Sequence, residues 1–298
     1  SEHLASGRVY ITDKLDELLK KISETYISKD KVEIVYLKNY AIVKNQELLE
    51  LTQKVYEVCK TKMIDVNTIT KFSRIWLMNI LKNITTINSS QVYNITDLDN
   101  KFIGQTALII AAGPSLSENI ERIKANRDKF VIFAVNKVLR ELEAHGITPD
   151  FAVCLDSIGT NNTLTGIETF CKNINCVLGI NSDKDLFNVG FKKYFVAFPD
   201  NDTITKKLAS YNKNIKLIEY GGSATTMALV VARSLGFSKI IFSGLDLAFK
   251  DDVMYSTGET INKTANNQII TANITKNIVK VKSVNGNLVN TRDDYAAF

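Results

Sequence analysis

The sequence contains no apolar run approaching the roughly 18 residues of a membrane span. Its start, SEHLASGRVYITDKLDE, has no basic-then-apolar signal segment, so the expected location is the cytoplasm. Cysteine is scarce: Cys59, Cys154, Cys171 and Cys176 form no Cys-x-x-Cys pair and have no histidine at zinc-site spacing. That speaks against zinc, and disulfides are not expected in a reducing compartment. Cys154 sits within an apolar run and reads as core. A large charge of one sign is missing too. Net charge is +5, and residues 101–250 hold most of it, with 18 Lys and Arg against 14 Asp and Glu. This surplus suits a pocket for an anionic small molecule and is too thin for a nucleic-acid surface, which needs dense basic clusters. Proline occurs only three times in 298 residues, which makes the one in the stretch TALIIAAGPSLSENI conspicuous.

What is present is a chain that can fold. An apolar fraction of 45% with 9% aromatics supplies a core. The length exceeds one usual domain, so a large domain or a domain with an appendage is expected. A first residue other than Met, and an end at Tyr295-Ala296-Ala297-Phe298 inside a helix-like stretch, suggest a piece of a longer polypeptide.

Residues 1–67 read as an N-terminal α/β or helical appendage. LDELLKKI is spaced as a helix, KVEIVYL alternates as a strand, and NQELLELTQKVYEVCK is amphipathic. A separate helix, TITKFSRIWLMNILKNI, opens the main domain at residues 68–298, and its Trp76 reads as a packing residue. From residue 105 short apolar runs alternate with helical stretches. TALIIAA, FVIFAV, DFAVCLD, NCVLGI, KYFVAF, IKLIEY and KIIFSGL are apolar on both faces and are separated by LSENIERIKANRD, NKVLRELEAHG, a polar helix and SATTMALVVARSLG. The pattern predicts an α/β, Rossmann-like fold: a mostly parallel sheet with helices on both faces. STGETINKTANNQIITANITKN has few large apolar residues and reads as a mobile loop or extended ribbon within an excursion at about 250–290.

A doubly wound sheet binds its ligands at the carboxyl ends of its strands. Gly113-Pro114-Ser115 ends the first of them. Glycine permits close backbone approach and Pro114 fixes the turn. Ser115 with Glu118 three residues on spells a capping box, and a helix start also suits a phosphate. Capping and phosphate binding both remain open here. The turn is neither GxGxxG nor a P-loop. Asn136 follows FVIFAV, Asp156 follows DFAVCL, Gly221-Gly222-Ser223 opens a helix after IKLIEY, and Gly244 and Asp246 close KIIFSGLD. So many polar strand ends in one sheet point to a nucleotide-type pocket.

The motifs IIAAGPSL, ITPDFAVCLD, GGSATTMALVVARSLG, IIFSGLDLAF and VNGNLVNTRDDYAAF, with Asn136 after its strand, resemble the central domain of the motility accessory factors. That family also includes archaeal 6-hydroxymethylpterin diphosphokinase-like proteins. The resemblance covers roughly residues 68–298 and extends, more distantly, to bacterial sialyltransferases that use CMP-activated sugars. It implies a glycosyltransferase moving a nonulosonic, sialic-acid-like sugar from a CMP-sugar to Ser or Thr of a protein such as flagellin. Gly113, Pro114, Ser115, Asn136, Asp156, Gly221, Gly222, Ser223 and Gly244 would line the nucleotide-sugar site, with no resident cofactor firmly implied. The sequence departs from the sialyltransferase pattern in its base. The histidine is absent, His3 and His145 being the only two. The first of the two sialyltransferase tyrosines falls on Ala248, and Tyr255 matches the second with a one-residue shift. An aspartate, Asp246, Asp251 or Asp252, then has to serve as base, or the substrate does so itself, and Tyr255 is a further catalytic candidate. The alternatives are a Mg²⁺-dependent pyrophosphokinase acting on a pterin alcohol, in which Asp156 and Asp246 hold the metal, and a non-catalytic nucleotide-binding domain.

Overall fold

In the central strands, consecutive side chains go to opposite faces of one sheet, and both faces are covered. The computed structural model that reveals this describes residues 10–26, 32–87, 92–159, 163–212, 215–256, 268–271, 274–293 and 295–297. The chain divides into two compact units, Ser1–Ser73 with Ala297–Phe298, and Arg74–Ala296.

The first unit holds α1 (Leu15–Thr25), the short α2 (Lys38–Val43) and the first part of α3 (Asn45–Thr86). Two expectations fail here. The two helices read from 45–60 and 68–84 are one helix of 42 residues. No glycine or proline interrupts it, so nothing stops the backbone ladder. The KVEIVYL stretch makes no strand over 32–37, where Val35 and Leu37 stand 85% and 80% exposed. A strand needs a neighbour to accept its N–H groups, and among the described residues this unit has none.

The second unit is built on an eight-stranded sheet. Its strands are β1 (Val92–Asn94), β2 (Thr106–Ile110), β3 (Val131–Val135), β4 (Phe151–Cys154), β5 (Asn175–Gly179), β6 (Lys193–Pro199), β7 (Leu217–Ile218) and β8 (Lys239–Ser243). Their order is β1-β6-β5-β4-β3-β2-β8, with β7 beside the end of β6, and every pairing is parallel. Between the strands lie α4 (Leu116–Ala125), α5 (Leu139–Ala144), the four-residue α6 (Glu168–Cys171), α7 (Thr203–Tyr211) and α8 (Ala224–Ser234). Of the polar helix expected after β4, the described residues show helix at 163–164 and at Glu168–Cys171, and the strand expected at IKLIEY is two residues long.

Period-two alternation decides the packing. Leu108, Ile110, Ile132, Ala134, Cys154, Cys176 and Leu178 join one core with Ile80 of α3, Ile120 of α4 and Leu142 of α5. Ala107, Ile109, Phe133, Phe151, Val153, Val177 and Phe195 join the other with Met227 and Val231 of α8 and Leu235 at its end. On that second face Phe133 and Phe151 stack at 4.7 Å, and Phe151 meets Phe195 edge-on at 6.0 Å. A rung of rings beneath α8 results.

The chain winds from β2 through β3, β4, β5 and β6 in one direction, while β8 lies on the other side of β2. Because α4 and α8 cover opposite faces, the crossovers diverge between β2 and β8. This is the position at which open α/β sheets take ligands. Beyond the sheet, β9 (Gln268–Thr271), β10 (Ile274–Lys282) and β11 (Leu288–Arg292) form a three-stranded antiparallel ribbon. Most of the stretch read as a loop or ribbon, residues 257–267 and 272–273, lies outside the described residues. No helix among the described residues is long and apolar enough to cross a membrane.

Cys154, Cys171 and Cys176 are all buried among apolar neighbours, and burial pushes the Cys171 thiol up to about 12 and Cys176 well above the usual thiol range. Cys59 is only half-buried. A thiol-exchange reagent such as DTNB is therefore expected to titrate a single cysteine, Cys59, in the native protein and all four after denaturation. More than one fast-reacting thiol in the native state would contradict this packing.

Candidate functional site

The carboxyl edge of the sheet collects the polar strand ends, and the backbone approaches most closely where β2 and β8 finish side by side. Ala111 N–H donates to Ser243 O at 2.9 Å, and Gly113 N–H to Gly244 O at 2.7 Å, so the pairing runs on past both strands. Neither glycine has room for a side chain. A Cβ on Gly244, whose φ is +70°, would stand 2.2 Å from Ala111 O. One on Gly113 would stand 2.1 Å from Asp246 Oδ2 and 2.5 Å from Gly244 O.

Asp246 fills the space that Gly113 leaves. Its Oδ2 accepts from both the backbone N–H and the hydroxyl of Ser115, each at 3.0 Å. No hydrogen bond falls on Oδ1 among the described residues. This corrects the capping box read from Ser115 and Glu118. Ser115 is helical in conformation (φ −67°, ψ −11°) and its side chain makes no capping bond. The cap of α4 comes instead from a carboxylate 131 residues away in sequence, while Glu118 pairs with Lys250. A negative group at a helix N-terminus is favourable, and here the protein supplies it.

The segment after Asp246 folds back over the same turn. Leu247 takes a left-handed conformation, φ 49°, and Phe249 N–H donates to Asn290 O at 2.8 Å. Ser256 N–H donates to Ala112 O at 3.0 Å, and the Ser256 hydroxyl bonds Glu141. This brings Tyr255 to the edge, where the Lys137 ammonium lies 3.3 Å from its ring centroid. Asp251 and Asp252 stand apart, exposed on the turn between Lys250 and Val253 with φ of 50° and 61°.

Two strands along, Asn136 and Asp156 meet. The buried Asn136 amide donates to Asp156 Oδ2 at 3.2 Å and reaches Thr163 Oγ1 at 3.4 Å, while Asp156 itself is exposed. A buried amide thus steadies a carboxylate that faces solvent. At the start of α8, Ser223 Oγ accepts from Thr226 N–H at 3.1 Å, and Thr226 Oγ1 accepts from Ser223 N–H at 3.2 Å, a complete capping box. The first-turn N–H groups of Ala224 and Thr225 have no acceptor inside the helix. Gly222 is exposed, and a Cβ there would meet nothing within 4 Å. Tyr220, just before it, is buried and its phenol is pushed well above the usual tyrosine range by desolvation.

The fold therefore gathers Gly113, Pro114, Ser115, Gly244 and Asp246 into one knot and Asn136 with Asp156 into a second group. The Gly221-Gly222-Ser223 turn opens at the start of α8. Asp156 and Asp246 have separate partners, and their strands are three spacings apart, about 14 Å between axes. The side chains lean toward one another across the edge, Asp246 being engaged beyond the end of β2 by Ser115 and Asp156 beyond the end of β3 by Asn136. No group of three or more His, Cys, Asp or Glu able to hold a metal is found among the described residues. The sequence reading passed over Asn79, Asn83 and Lys137. Two asparagines four apart on an otherwise apolar helical stripe, in WLMNILKNI, were the available signal.

The profile of the 6-hydroxymethylpterin diphosphokinase MptE-like family matches residues 78–252. A protein of Treponema pallidum (strain Nichols), described only as uncharacterized, is 30% identical over 111 residues, 37% of this chain and 50% of that protein. The solved structure of the MAf glycosyltransferase from Magnetospirillum magneticum AMB-1 is similar with a TM-score of 0.64 at 18% identity, over 96% of this chain and 42% of that one. At that identity the likeness is one of fold. The chain spans half or less of the length of either relative.

Replacing Gly113 with Ala is expected to cost about 1–3 kcal/mol, the usual penalty of overpacking. Gly222→Ala, in open space, should change stability by no more than about 0.5 kcal/mol. Urea unfolding of the two variants measures both. Equal stabilities would mean that Asp246 does not sit against Gly113.

Proposed function

The chain belongs to the 6-hydroxymethylpterin diphosphokinase MptE-like family, and from that premise we propose that it is a transferase acting on a nucleotide-activated substrate held along the carboxyl edge of the sheet. The favoured reading is a glycosyltransferase that moves a nonulosonic sugar from its CMP conjugate to a Ser or Thr hydroxyl of a protein, flagellin being the expected acceptor. The observation that carries it is the Asn136–Asp156 pair. A solvent-facing carboxylate steadied by a buried amide is suited to accept hydrogen bonds from ribose hydroxyls.

The rest of the edge supplies the remaining roles. The open Gly221-Gly222-Ser223 turn at the start of α8 offers N–H groups and a partial positive charge to the departing CMP phosphate. The Gly113-Pro114-Ser115 turn forms the wall of the site, its Ser115 donors being engaged by Asp246. Those two bonds hold the Asp246 carboxylate still and leave Oδ1 to take the proton of the acceptor hydroxyl as that oxygen attacks the sugar. Tyr255, beside Lys137, lies within the same edge as a second polar group. Asp251, on its exposed turn, is the weaker candidate.

The pyrophosphokinase reading has the family's name in its favour, with Asp156 and Asp246 as the residues that would hold Mg²⁺. Intrinsic fluorescence separates the two. Trp76 is the sole tryptophan, and its indole N–H bonds the Ser157 hydroxyl at 2.5 Å, next to Asp156. CMP is expected to change its emission saturably, and Asp156→Ala to weaken that response by about tenfold or more, the scale of one lost charged hydrogen bond. Asp246→Asn should keep CMP binding while abolishing transfer. A response to ATP only with Mg²⁺, and none to CMP, would overturn the glycosyltransferase reading in favour of the kinase.

A further inference from the structure

Three side chains on one stripe of α3 reach across to the carboxyl edge. Trp76, Asn79 and Asn83 are spaced by three and four residues and so share a helical face. Trp76 Nε1 donates to Ser157 Oγ. The Asn79 amide donates to the carbonyls of Ser157 at 2.9 Å and Asn181 at 3.2 Å. The Asn83 amide donates to the carbonyls of Ile180 at 2.8 Å and Ser182 at 2.9 Å. Every acceptor belongs to one of two turns, those leaving β4 and β5.

The two turns are also bonded to each other. Asp183 N–H donates to Asp156 O at 2.9 Å, and Ser182 Oγ donates to Cys154 O at 3.1 Å. The carbonyls at 157 and 180–182 lie beyond the ends of their strands, where the sheet ladder no longer serves them. Two asparagine amides take the place of the ladder. Asn79 and Asn83 are 6% and 1% exposed, and a buried amide without partners is costly. Docking of α3 does not require them, because Ile80 and Ile84 already tie this face of the helix to the core. Their amides instead hold the backbone just after Asp156 and the neighbouring turn after β5, which in turn bonds the carbonyls of Cys154 and Asp156.

We propose that Trp76, Asn79 and Asn83 are positioning residues for the nucleotide site: α3 grips the turns after β4 and β5 and thereby sets where the Asp156 carboxylate stands. The inference rests on the assignment of Asp156 to nucleotide binding made above. It extends the site to a helix that carries none of the strand-end motifs.

The test uses Asn79→Leu, which keeps the branching and heavy-atom count of the side chain and does not weaken the helix, but removes both donated bonds. Trp76→Phe, which removes one donor and keeps the ring packing, covers the case in which the first variant folds poorly. Hydrogen exchange followed by mass spectrometry, on protein that circular dichroism reports as folded, should show faster exchange in peptides spanning 155–159 and 179–184, with β2 and β3 unchanged. Calorimetric titration with CMP should show about a tenfold loss of affinity in Asn79→Leu. A purely structural role would loosen the turns and leave CMP affinity as it was, and that result overturns the proposal. So does unchanged exchange at both turns. If the unmodified protein binds no CMP, the functional assignment fails, while the exchange measurement still decides whether α3 holds the turns.

Discussion

Two backbone segments leaving the sheet, one after β2 and one after β8, approach so closely that neither tolerates a Cβ where they cross. Gly113 and Gly244 satisfy that constraint, and Asp246 closes the gap by bonding Ser115 through both its amide and its hydroxyl. Much of the site follows from this knot. The strand order reverses here, so a ligand crevice is expected between these two ends. In this protein a carboxylate of its own stands at the helix start on that crevice. The start of α8, by contrast, is open, with nothing within 4 Å of a Cβ at Gly222.

The same knot gives Asp246 a defined position. A carboxylate held through one oxygen has the other directed by the first, and a fixed proton acceptor is what transfer to a hydroxyl requires. The segment that follows is drawn over the turn by Lys250 on Glu118 and by Ser256 on Ala112 and Glu141. Tyr255 arrives beside Lys137 as a result. Ion pairs between exposed side chains contribute little individually, so the backbone bonds of Phe249 and Ser256 carry most of the placement.

On the second face the determinant is apolar. Phe133 of β3, Phe151 of β4 and Phe195 of β6 pack ring against ring beneath α8, which carries Met227 and Val231 down onto them. The start of α8 is thereby held over the carboxyl edge, with its Ser223–Thr226 box completing the cap. On the first face α3 does the corresponding work with amides, gripping turns that the sheet cannot serve.

The repeating pattern of short apolar runs and helices determined the parallel sheet and both of its cores, because alternation along a strand is a local property that burial on two sides preserves. The positions of Asn136, Asp156, Gly222 and Asp246 at strand ends were legible for the same reason. The single long helix was misread as two because short windows of apolar periodicity say where a face is apolar, not where a helix stops. KVEIVYL alternates like a strand, yet pairing needs a partner that its own residues do not specify. The partner of Ser115 was beyond local reasoning altogether: Ser-x-x-Glu spells a cap within four residues, but the donor set was taken by a carboxylate brought from β8 by the strand order. Likewise Asn79 and Asn83 meet the turns of β4 and β5 only because α3 lies across the edge. Sequence by itself determined which residues are apolar in what period, and hence the elements and the face each one buries. Which polar group meets which was decided by tertiary structure, since hydrogen bonds act over about 3 Å and the chain brings those atoms together only after the sheet has formed.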